Sequence, residues 1–148
     1  MSSARTLWIK EPAAGVAVVI VSSTDLSGTL ALRLKTALED WDEVAYLQVF
    51  DPLALQQEWL AAENQRAGFA STCQASAVLG GLGKNCLLLD IENGRRGELA
   101  WLGSVCGHTL RFLELQAGEH LDESQCERIV AALRDLVKHQ LEGRYLSC

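Results

Sequence analysis

Proline is scarce, at 2 residues in 148, and a proline-rich linker is thereby excluded. The C-x-x-C motif is absent. Five cysteines, Cys73, Cys86, Cys106, Cys126 and Cys148, are odd in number and widely spaced. That pattern fits neither a zinc ribbon nor a thioredoxin-like pair, and reduced thiols are expected. Basic charge is in deficit: 13 Lys and Arg stand against 19 Asp and Glu, a net charge of −6. Nucleic-acid binding leaves a basic footprint, because phosphates must be neutralised, and the nearest approach to one is the pair Arg95-Arg96. Neither nucleic acid nor an anionic membrane surface is an expected partner. Long apolar runs are also missing. The longest, from Ala13 to Val21, falls well short of the roughly 20 residues that a membrane span requires. The start, Met1-Ser2-Ser3-Ala4-Arg5, leads into an apolar-polar mix rather than an apolar core with a cleavage site. A cytoplasmic location is the expectation.

What is present describes a globular chain. Hydrophobic residues make up 49% and charged residues 22%, and the length suits a single domain over 1–148. The β-branched run over 15–21 reads as a buried strand. It ends in Ser22-Ser23-Thr24-Asp25, a polar run suited to a turn and a helix cap. Leu30, Leu34 and Leu38 share one stripe of a helix over about 28–40. Residues 44–50 form a second strand, and Asp51-Pro52 pairs an N-cap with proline in the first helical position. The helix this opens runs to about 66, with Leu55 and Trp59 inward. Ala77-Val78-Leu79 suggests a short strand, and Gly80-Gly81-Leu82-Gly83 an irregular link. Residues 86–91 and 109–115 are strands. Between them, Asn93-Gly94 is a strong hairpin signal. It predicts an antiparallel partner at 97–102, against a competing helix over 97–106 that Gly97, Gly103 and Gly107 would weaken. The last helix opens at Asp122, with Gln125 completing a capping box. Ile129, Val130, Leu133, Leu136, Val137 and Leu141 form its apolar stripe. Lys138 and His139 suit its negative end, and Gly143 is its expected stop. The order predicts an α/β, three-layer domain with a mixed, mainly parallel central sheet and helices on both faces.

Few groupings point to chemistry. Ser22, Ser23, Thr24, Ser27, Gly28 and Thr29 are the candidate cofactor-binding residues, because ligands in open α/β sheets bind beyond the carboxyl ends of the strands and a helix N-terminus offers N–H donors to a phosphate. The run Ser22-Ser23-Thr24-Asp25-Leu26-Ser27-Gly28-Thr29 resembles the phosphate loop of flavodoxins and flavin reductases, which implies a flavin or nucleotide. It lacks their close Thr-Gly-x-Thr arrangement, and Asp25 would repel a phosphate. A plain capped turn accounts for the same residues. Gly80-Gly81-Leu82-Gly83-Lys84-Asn85 is not a Walker loop: Asn85 stands where Ser or Thr is needed, and Val78 where the first glycine belongs. Nor is it a dinucleotide fingerprint, since a strand follows it rather than precedes it. Cys106-Gly107-His108 sets a thiol near an imidazole, with no third orienting group evident. Glu39-Asp40-Trp41-Asp42-Glu43 places four acids around a tryptophan, either a solvated turn with Trp41 folded back onto the sheet edge or a contact point for a cation or basic partner. Asp90 interrupts an apolar strand, where sheet alternation and function explain it equally.

Every catalytic pattern is thus broken or absent. The leading expectation is a soluble, non-enzymatic α/β module acting through a protein partner, a second copy of the chain included. The alternatives are a small flavin- or nucleotide-binding protein, such as a reductase, using the loop after the first strand, and a thiol enzyme around Cys106.

Overall fold

The computed structural model describes residues 5–24, 26–64, 73–83, 85–95, 97–115 and 122–146. In chain order the elements are β1 (Thr6–Lys10), β2 (Val18–Ser23), α1 (Gly28–Leu38), β3 (Val44–Val49), α2 (Pro52–Asn64), α3 (Gln74–Leu79), β4 (Leu87–Asn93), a 3₁₀ helix (Ala100–Ser104), β5 (Leu110–Leu115) and α4 (Asp122–Leu146). The five strands form one sheet in the order β1-β3-β2-β4-β5. Strands β2, β3, β4 and β5 run parallel, and β1 lies antiparallel on β3.

The central strands are buried along their whole length because apolar residues alternate into two separate clusters. Val18 and Ile20 of β2 join Tyr46, Leu89 and Ile91 in a cluster with Leu30, Leu34 and Leu38 of α1 and Ile129, Leu133 and Val137 of α4. Their neighbours Val19 and Val21 join Leu47, Val49 and Leu88 in a second cluster with Leu55 of α2, Ala75 and Leu79 of α3, Leu99 and Leu102. The two-residue period of a strand produces this division. Caps place the helices. Ser27 Oγ accepts from Leu30 N at 3.1 Å, and Asp51 Oδ1 accepts from Ala54 N at 3.1 Å.

Four expectations are corrected. The sheet is mixed, but not through a hairpin at 93–102. Gly94 does turn the chain, with φ +84°, and Gly97 follows with φ +65°. The segment beyond nevertheless closes into the 3₁₀ helix, and β5 returns parallel to β4. Leu99 and Leu102 are three apart and both buried, the period of a 3₁₀ turn rather than of a strand. The antiparallel strand is β1, at the opposite edge, where the sequence reading placed no element. Residues 77–79 belong to α3, since Cys73 and Ser76 form a reciprocal cap and Ala75 and Leu79, one turn apart, are both buried. Gly143 does not stop α4, which continues to Leu146; one exposed glycine costs a long helix only about 1 kcal/mol. Asp25, His120 and Cys148 and the proposed side-chain cap of Asp122 lie outside the described residues.

Trp41 packs half-buried against the first cluster, and its carbonyl, with that of Val44, accepts from Lys10 Nζ of β1. The lysine therefore fastens the edge strand to the turn before β3. Among the described residues, no helix is long and apolar enough to cross a membrane.

Candidate functional site

The chain leaves β2 toward β3 on one side and β4 toward β5 on the other. The carboxyl ends of β2 and β4 thus flank the point where the sheet reverses direction, the place where open α/β sheets carry ligands. The predicted cofactor residues gather there but not as one hydroxyl-lined loop. Ser22 is fully buried, and its hydroxyl shares a 2.8 Å hydrogen bond with the Tyr46 hydroxyl. Ser23 is buried at the end of β2. The Ser27 hydroxyl caps α1. Thr24, Gly28 and Thr29 are exposed.

The same edge holds acids that the sequence reading only half identified. Asp90 lies between Val21 of β2 and Phe112 of β5 in register. It is completely buried, and apart from the neighbouring Glu92 carboxyl neither of its oxygens meets a hydrogen-bond partner among the described residues. Glu92, two residues on and so on the same face, is buried with Oε2 unpartnered; its Oε1 accepts from the Glu98 N–H at 3.1 Å. Burial first, then the approach of Glu92, then the charges of Glu92 and Glu98, push the Asp90 pKa up to about 9. Asp90 is therefore a neutral acid at pH 7. A hollow of about 350 Å³ at this end is lined by Asp51, Pro52, Leu53, Gln56 and Glu98, with two acids and no base. This surrounding is unfavourable to a phosphate. The period-2 spacing of Asp90 and Glu92 was the available signal for the pair; the approach of Glu98 depends on the 94–99 turn and left no such trace.

The thiol reading finds no support in the geometry. Cys106 is exposed, and its pKa is pushed up, by desolvation and then by Cys73. An activated thiolate needs the opposite shift. His108 is buried elsewhere in its bonding: Nε2 donates to the Gly83 carbonyl at 3.2 Å, and Nδ1 has no partner among the described residues. Among the described residues, no three His, Cys, Asp or Glu side chains converge as metal ligands.

A second, larger concavity lies between α1 and α4. It is an open groove of about 700 Å³, of the size that accepts a ligand or a segment of a partner. Thr29, Leu32, Arg33 and Ala37 line it from α1, and Glu123, Cys126, Glu127, Val130 and Arg134 from α4. Leu32 is 67% exposed at its edge. Arg33 and Glu127 both act on the Cys126 thiol, whose pKa burial raises. Helical spacing made the inner stripes of α1 and α4 legible. The groove is formed by their outer stripes, and only the packing of the two helices side by side reveals it.

No protein-family model, curated protein or solved structure matches this chain.

Proposed function

We propose that this chain is a soluble, non-catalytic α/β module of the cytoplasm that acts by holding a protein partner in the α1–α4 groove. In this reading the domain has three layers, with α1 and α4 covering one face of the sheet and α2 and α3 the other. The observation that carries it is Leu32, a large apolar side chain left 67% exposed beside a groove of about 700 Å³. An apolar anchor beside a concave surface with a charged rim is the usual composition of a protein contact. The acid-rich carboxyl edge of the sheet, with its hydroxyls at Ser22 and Ser27 already engaged, leaves the flavin or nucleotide reading dependent on Thr24, Gly28 and Thr29. Equilibrium dialysis against a flavin mononucleotide separates the two readings.

The direct test is photo-crosslinking in cells. A benzoylphenylalanine placed at Leu32 is compared with one at Leu53, which is 66% exposed but outside the groove. A discrete protein adduct at position 32, and none at 53, is expected. No adduct at 32, or the same adducts from both positions, contradicts the proposal.

A further inference from the structure

Glu123, Glu127, Val130 and Arg134 of α4 line the groove, and Lys138 continues their stripe beyond it, the five spaced four, three, four and four residues apart. These positions share one side of the helix. Acids occupy one end, a partly buried valine the centre and bases the other end. None of the four charged residues makes an ion pair among the described residues. Helix-dipole preference does not account for the arrangement, because that effect fades beyond the terminal turn. Arg134 stands in the middle of a helix that spans Asp122–Leu146, and Glu127 lies past the first turn. Within the stripe Glu123 and Glu127 are like charges at i, i+4, and so are Arg134 and Lys138, although Asp135 and Glu142 stand three and four residues from Lys138 on the same helix.

We infer, resting on the partner-binding reading, that the occupant of the groove is a second copy of this chain, docked by a two-fold axis near Val130 with the two α4 helices antiparallel. The two-fold sets Glu127 opposite the partner's Arg134 and Glu123 opposite the partner's Lys138, and each pairing occurs twice. Such self-complementarity is what an isologous interface requires. Glu127 and Arg134 are separated by about 10.5 Å of helix at 1.5 Å per residue, so both pairs close at once when the helices cross at a shallow angle, about 20°. Docking covers Leu32 and Val130. It also sets four attractions across the interface against the like-charge repulsions within each α4.

Sedimentation equilibrium of the full reduced chain, from about 1 µM to about 500 µM, reads this directly over the range of weak to moderate affinities. A reversible dimer is expected, tighter at low salt because the pairs lie at a solvated rim. Glu127→Arg and Arg134→Glu should each weaken it by roughly tenfold or more, and the double variant, which restores opposite charges across the axis, should recover it. Circular dichroism checks that each variant is folded. A monomer at every concentration overturns the inference, as does a double variant no tighter than the singles. The Leu32 cross-link separates this from failure of the broader reading. An adduct of twice the chain mass supports the second copy. An adduct with a different protein, from a monomeric chain, overturns the second copy and leaves partner binding standing. No adduct overturns both.

Discussion

A carboxyl group buried among apolar strands carries a cost that depends on pH, and Asp90 is the residue where this protein bears it. Its folded pKa, about 9 against an ordinary 3.8, means that the folded state holds this proton far more tightly than the unfolded chain does. Its contribution to stability is therefore complete below about pH 4, declines as pH rises and levels off above about pH 9. Asp90→Asn keeps the shape and removes the titration. Urea unfolding across pH 4–9 should show the variant gaining steadily on the wild type as pH rises, by several kcal/mol at pH 8, with little difference at pH 4. Parallel pH profiles for the two proteins would show that Asp90 does not hold its proton in this way. Ser22 and Tyr46 form a buried polar contact of the sheet. Ser22→Ala and Tyr46→Phe should each cost about 1 kcal/mol. In a double-mutant cycle the combined loss should fall short of additivity, since either change alone already breaks the bond.

At the scale of elements, α4 supplies Ile129, Leu133 and Val137 to the first core cluster. Leu133 is fully buried there, and Leu133→Ala should cost about 2–5 kcal/mol in chemical denaturation; a loss below about 1 kcal/mol would mean that α4 is not packed as described. Its apolar stripe was legible because Ile129, Leu133 and Val137 repeat at helical spacing. So was the stripe of α1, and β2, β3 and β4 were legible as short apolar runs. The elements that were not legible share a physical reason. β1, with the sequence Thr6-Leu7-Trp8-Ile9-Lys10, is an edge strand whose side chains are all partly or wholly exposed, so it shows no clean alternation. Its place is fixed from outside, by pairing with β3 and by the reach of Lys10 to the Trp41 and Val44 carbonyls. The Asn93-Gly94 turn was read correctly as a turn, but the burial of Leu99 and Leu102 decided what followed it. That contact is tertiary, and the local turn signal does not contain it.

At the scale of the whole molecule, the candidate sites were less legible than the fold. The loop after β2 was located by topology, and the structure shows which of its hydroxyls are already engaged. The α1–α4 groove lies between elements distant in sequence, and the charge pattern that makes it informative runs along the side of α4 that the core does not use. A chain of net charge −6 keeps Arg33 and Arg134 with Glu123 and Glu127 around one groove. The most direct test of the central claim is the photo-crosslink at Leu32, read by intact mass. The account expects one discrete protein adduct at Leu32 and none at the equally exposed Leu53. Absence of an adduct at Leu32, or indistinguishable labelling from the two positions, would contradict it.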